Sequence, residues 1–165
     1  MTAARLIKLL GLKPHPEGGY FRETYRSAGR VPPESSSRRF PDGRNFSTAI
    51  FYLLPSGSVS TLHRLHSDEV FHFYSGGPMT LVRLAHGGRA RQIVLGPDPG
   101  AGHSFQHVVP AGEWFGAYPS PGTAYSLLGC TVAPGFDFGD FEIAGRAKLT
   151  RAFPSDARLI ARLTR

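Results

Sequence analysis

The sequence predicts an all-β domain, a sandwich or closed barrel, with a short helix at each end. Seven short strand-like runs follow one another, at Phe46–Leu54, Glu69–Tyr74, Met79–Leu84, Arg91–Leu95, Phe105–Val109, Ala124–Val132 and Phe136–Ile143. Turn clusters separate them, among them Pro55-Ser56-Gly57, Ser75-Gly76-Gly77-Pro78, His86-Gly87-Gly88 and Pro119-Ser120-Pro121-Gly122, in a chain that holds 20 Gly and 14 Pro. Helical spacing is confined to the two ends. Short strands with turn signals at this interval argue against a βαβ fold.

Taken in order, Thr2 caps a helix with Ala3, Leu6, Ile7 and Leu10 on one face, which Gly11 ends. His15-Pro16-Glu17-Gly18-Gly19 then permits a sharp reversal, because glycine tolerates backbone angles other residues avoid. It leads into Tyr20–Arg26, read either as a ligand-contacting segment or as an edge strand held by Arg–Glu pairs. The polar, Pro-rich stretch Ala28–Arg44 is long enough for a loop, and two readings stay open: cover for a pocket mouth or idle surface. Near the other end, Ser155 and Asp156 open a second helix with Leu159, Ile160 and Leu163 on its buried face.

Length and composition narrow the function. At 165 residues the chain suits one compact domain, spanning 1–165, with a real core. An apolar share of 41% excludes a disordered or fibrous protein. No run approaches the ~20 apolar residues of a membrane span, and the N-terminal segment, broken by Lys8 and Pro14, reads as a helix and not a leader. A single cysteine, Cys130, rules out an internal disulfide and fits a reducing cytoplasm, the expected location. The net charge of +7 comes from 16 Arg against 3 Lys, spread along the chain. Spread charge without interleaved stacking residues reads as solvated surface, so neither nucleic acid nor membrane is expected as partner.

Chemistry concentrates in Gly57–Gly77, where His63, His66, Asp68, Glu69 and His72 stand among strand-forming aromatics. In a strand, alternate residues face opposite sides. If no turn intervenes at Ser67-Asp68, that parity puts His63, Leu65, Ser67, Glu69, Phe71 and Phe73 on one mostly apolar face, with His63 and Glu69 close together. His63 is the candidate general base and Glu69 the group that orients it. Such a pair also serves to bind a metal or merely to satisfy itself. A metal needs a third protein ligand, and parity turns both His66 and His72 away. No cofactor is therefore expected; were a metal bound, His63 and Glu69 would be its ligands. Candidate ligand contacts are Tyr20, Arg22 and Glu23 after the glycine reversal, Phe71, His72 and Phe73 on the central run, and Trp114 as a stacking wall.

These residues resemble the cupin superfamily. Its first motif begins with Gly, then His-x-His, Glu and Gly, and Gly57, His63, Glu69 and Gly76 fall at matching spacing; Pro110 and Gly112 match the second motif. The blocks HPEGGYFRETYRS, HRLHSDEVFHFYSGGP, VPAGEWFGA and APGFDFGDFEIA resemble, more specifically, the fifth cupin family, labelled a domain of unknown function. The resemblance implies a double-stranded β-helix (jelly-roll barrel), a homodimer, and an architecture similar to that of the dTDP-sugar 3,5-epimerases. Two departures matter: Leu65 and Phe115 stand where two of the usual metal histidines would be. His66 stands where this subfamily commonly carries a lysine.

Three functions follow as expectations. One is a metal-independent epimerase, isomerase or dehydrating enzyme acting on a sugar-like or carbonyl-bearing metabolite. The others are a non-catalytic module for a small polar ligand and a metal-dependent oxygenase or isomerase.

Overall fold

The computed structural model describes residues 1–33, 39–85 and 89–164. The expected turn His86-Gly87-Gly88 and the middle of the expected loop, residues 34–38, lie outside the described residues. Helix α1 (Ala3–Leu10) starts on Thr2, whose Oγ1 accepts from the Arg5 N–H at 3.3 Å, and stops at Gly11 with φ 61°. The strands follow: β1 (Lys13–Pro14), β2 (Tyr20–Arg26), β3 (Arg30–Val31), β4 (Arg44–Asn45), β5 (Thr48–Pro55), β6 (Ser60–Arg64), β7 (Asp68–Gly76), β8 (Met79–Leu84), β9 (Arg91–Leu95), β10 (Gln106–Val109), β11 (Trp114–Pro119), β12 (Tyr125–Ala133) and β13 (Glu142–Ile143). Helices α2 (Arg146–Ala152) and α3 (Ala157–Arg162) close the chain.

Two antiparallel sheets face each other, ordered β1-β2-β5-β12-β7-β10 and β13-β6-β11-β8-β9. β3 and β4 form a separate pair. Sequence neighbours β6 and β7 lie in different sheets, as do β7 and β8, so the chain rolls up as a jelly roll instead of meandering. The expected fold class holds. No helix among the described residues is long and apolar enough to cross a membrane.

Alternation fixes the layers. On β11, Phe115 and Ala117 enter the core between the sheets with Leu54, Phe71, Leu81 and Leu128. Trp114 and Tyr118, one residue out of phase, face the other way and pack with Leu149 of α2 and Ile160 of α3. On the first sheet, Leu53 turns outward beneath Leu6 of α1 while Tyr52 and Leu54 turn inward. Each fully buried leucine stabilises the fold by about 1.5–3 kcal/mol.

The structure departs from expectation in four places. Phe136–Ile143 is not one strand: a 3₁₀ turn occupies Phe138–Asp140, and pairing is confined to Glu142–Ile143. The Asp137 side chain accepts from the Gly139 N–H at 2.8 Å, a local bond that competes with a ladder. β6 is a strand the run pattern missed. α2 was also missed, because Gly145 gives it no side-chain cap and Leu149 is its one buried residue. Ser155 and Asp156 lie in a 3₁₀ turn ahead of α3, where Asp156 accepts from the Ala90 N–H at 3.0 Å and leaves α3 without a side-chain cap.

Candidate functional site

A cavity of about 240 Å³ opens at one end of the roll. Its walls come from β2, β5, β6, β7, β12 and the 136–141 segment. Most of the lining is apolar, including Phe21, Ile50, Leu65, Val132, Phe136 and Phe141. Into this surface project His15, Glu17, His63 and Glu69.

Glu17 reaches the floor because the chain is wedged there. Its carbonyl accepts from the Thr61 N–H of β6 at 2.8 Å. The next residue, Gly18, has φ 114°, and a Cβ at that position would collide with the Val59 carbonyl oxygen. Only glycine makes that approach. The Glu17 carboxylate is then held by two β6 side chains: Oε1 accepts from Ser60 Oγ at 2.8 Å, and Oε2 lies 3.1 Å from His63 Nε2.

His63 is fixed from both sides. Its Nδ1 lies 2.7 Å from the Thr61 carbonyl, which can only accept, so Nδ1 carries a hydrogen and donates. Nε2 is thereby aimed at Glu17. Two bare acceptors do not face each other at 3.1 Å, so one proton lies in that gap. Phe115 packs on the imidazole at 4.1 Å between ring centres and Phe141 at 5.2 Å, excluding water from its faces. His15 completes the inner wall, with Phe21 edge-on at 4.6 Å, and Nδ1 is 3.6 Å from Glu17 Oε2. Burial pushes the His15 pKa down, against the attraction of Glu17.

Glu69 sits on β7 between Val109 and Val132 of the neighbouring strands. It is 7% exposed, and no Lys, Arg or His among the described residues lies within ion-pair range of it. Burial, reinforced by Glu17, raises its pKa to about 8. Burial likewise drives the Cys130 thiol and the Tyr52 phenol well up, so both stay neutral. At the mouth, Arg26 pairs with Glu23 at 2.7 Å and donates to the Phe136 carbonyl at 3.1 and 3.2 Å, tying β2 to the aromatic segment.

Of the residues read from sequence, His63, Glu69 and Glu23 line this cavity and six do not. His63 and Glu69 both reach the cavity, but from β6 and β7 in facing sheets and not by parity along one strand, and the carboxylate bound to His63 is Glu17. Trp114 is a core residue under the C-terminal helices, with the Arg64 guanidinium 4.7 Å from its ring centre. Tyr20 packs beneath α1, and Arg22 lies over Phe51 at 5.6 Å. Phe71 is in the core against Phe115. Phe73 is half-buried, with its N–H donating to the Phe105 carbonyl. His72 stands on the opposite face of β7: Gln106 Nε2 is 2.9 Å from its Nδ1, and Thr131 Oγ1 is 3.1 Å from its Nε2. His66 is half-exposed, its Nδ1 3.4 Å from Asp140 Oδ1.

The residue that sequence reasoning missed is Glu17. Its signal was the pair of glycines behind it, which were read as delivering Tyr20 and Arg22. Arg44, the last residue of the expected 28–44 loop, is buried and bidentate to Asp140, at 2.7 and 2.6 Å, which anchors that end beside the aromatic segment.

The donor set does not fit a metal. Leu65 and Phe115 carry no ligand atoms, the Glu17–His63 contact occupies Nε2, and no three His, Cys, Asp or Glu among the described residues are placed to hold an ion.

A family model described as "Cupin superfamily (DUF985)", Cupin_5, matches residues 4–144. The chain belongs to Cupin_5. It is 32% identical over 145 residues to the uncharacterized protein YML079W of Saccharomyces cerevisiae, covering 82% of this chain and 72% of the yeast one. A hypothetical protein from Leishmania major superposes with a TM-score of 0.89 at 35% identity, covering 99% of both chains. Protein SO0799 from Shewanella oneidensis gives 0.89 at 34%, covering 100% of this chain and 98% of that one. Cupin_5 membership accounts for the jelly roll and for the motif glycines, among them Gly57 with φ 76° and Gly76 with φ 91°.

Proposed function

We propose that this protein binds a small carbonyl-bearing metabolite in the cavity and moves a proton on it without a metal, as an epimerase or isomerase does. The observation that carries this reading is the Glu17–His63 contact inside a mostly apolar, aromatic cavity. Glu17 and His63 take the parts that the sequence assigned to His63 and Glu69. With the shared proton held on Nε2, Glu17 is a carboxylate backed by an imidazolium. A carbon acid next to a carbonyl gives its proton to Oε2, and the C–H electron pair becomes the enolate. Returning the proton to the other face of that carbon yields an epimer; returning it to the neighbouring carbon yields an isomer. No electrons are gained or lost. Acid–base work of this kind contributes about 10²–10⁴-fold in rate.

The cavity volume supports a small ligand, being below the ~300–1,000 Å³ typical of drug-sized sites. The test follows C–H exchange by proton NMR in D₂O, over a panel of small aldoses, ketoses and keto acids. At least one member exchanges with the wild-type protein. Glu17→Gln and His63→Asn each slow that exchange by at least about 100-fold while their folds, read by circular dichroism, persist. A ligand retained without exchange supports the binding-module reading instead. Equal rates in wild type and variants would end the acid–base assignment.

A further inference from the structure

We propose that Glu69 stays protonated in the working protein and donates a hydrogen bond to an uncharged carbonyl oxygen, so that the cavity selects neutral carbonyl compounds over their anionic and cationic isosteres. This deepens the function proposed above and rests on it.

Three observations lead there. First, Glu69 is a buried carboxyl facing a void with no cation beside it. A buried charge without a partner is costly, so such a group neutralises instead. Second, a like-charged group shares the cavity. Glu17 is the one whose charge is provided for, by Ser60 Oγ and His63 Nε2. Two carboxyls in one small cavity do not both ionise readily, and the proton therefore settles on Glu69, whose side-chain partner is the neutral Cys130 thiol. Third, every cation lining the cavity already has an acid. His63 has Glu17 and Arg26 has Glu23. Nothing remains to neutralise a carboxylate or phosphate on the ligand.

The other titratable groups around Glu69 agree. Cys130 from β12 and Tyr52 from β5 are kept neutral by burial, and His15 is biased the same way. Asp137 at the mouth adds only negative charge. Burial and the neighbouring Glu17 raise the Glu69 pKa to about 8, so its proton is present at neutral pH and lost above that value. In the enolate mechanism this O–H lies against the oxygen on which charge develops, where a preformed donor is most effective.

The test uses three molecules of one shape and different charge: benzamide, benzoate and benzamidinium, titrated into the full-length protein and followed by NMR shifts of cavity amides. Benzamide binds at least about tenfold more tightly than either ion at pH 6.5. Raising the pH to 9.0 weakens benzamide binding about tenfold, as the protonated fraction falls. Glu69→Gln, which keeps a donor, retains binding and loses the pH dependence. Glu69→Leu loses binding, and its fold is checked by circular dichroism. The proposal fails if an ion binds as well as benzamide, if none of the three binds at 10 mM, or if the wild-type affinity is flat across this range. Failure of the acid–base reading is separable, since absence of C–H exchange with every panel member would end that reading, while the charge preference and pH profile of benzamide binding to the wild-type protein are read without any turnover.

Discussion

Two of the polar clusters in this barrel differ in what is left over. At one side Arg83 of β8 binds Glu113 through Nε and Nη2, at 2.8 and 2.7 Å, and reaches His107 Nε2 through Nη1 at 2.8 Å. His107 accepts from a group that can only donate, and burial together with Arg83 lowers its pKa, so it is neutral. None of the three lines the cavity. At the cavity, the same residue types converge on space, with Glu69 lacking a cation. An imidazole near a carboxylate is therefore not in itself a site. Void volume and an unmet charge make the difference.

The largest expected effect tests that difference directly. The ordinary value for Glu69 is 4.5 and the folded value about 8, so the folded state holds a proton that the unfolded chain has released. Wild-type stability then falls as pH rises from about 4.5 through about 8, at roughly 1.4 kcal/mol per pH unit. Glu69→Gln removes this slope. Relative to wild type it gains about 4 kcal/mol between pH 5 and 9 in urea unfolding. A constant difference would mean that Glu69 is not a buried acid. Arg83→Met sharpens the contrast: it leaves Glu113 without its cation and costs about 1–2 kcal/mol at pH 7, with benzamide binding unchanged. A loss of ligand binding would join the two clusters. The smallest effect belongs to His66→Ala, within about 0.5 kcal/mol, since that side chain is 51% exposed. A larger loss in thermal unfolding would give His66 a structural part beside Asp140.

Local periodicity made much of this legible. The alternation Glu69, Phe71 on β7 turned Glu69 inward, and the turn glycines marked strand ends; His63 reaches the same cavity from β6 of the facing sheet, so the continuous parity drawn from His63 to Glu69 does not hold across residues 65–67. Trp114 was misplaced although the same rule applies to it. Its neighbour Phe115 belongs to the inner face, so Trp114 must face out, and the helix that covers it there, α2, was not anticipated. Glu17 was harder still. It meets His63 across 46 positions of chain, and no period in the sequence connects a loop before β2 with the end of β6. The segment after Pro134 misled for a different reason. Its phenylalanines look strand-like, but the Asp137 turn bends them around the cavity, with Phe138 6.3 Å from the His15 ring.

The wedged turn at Gly18 has a consequence for how the cavity is assembled. Both oxygens of Glu17 are held by residues more than forty positions later, so the Glu17–His63 contact is absent from a partly made or partly folded chain. Strands and helices can form without it. During refolding, closure of that one distant contact should lag the return of backbone signal, because its chain-entropy cost is met last.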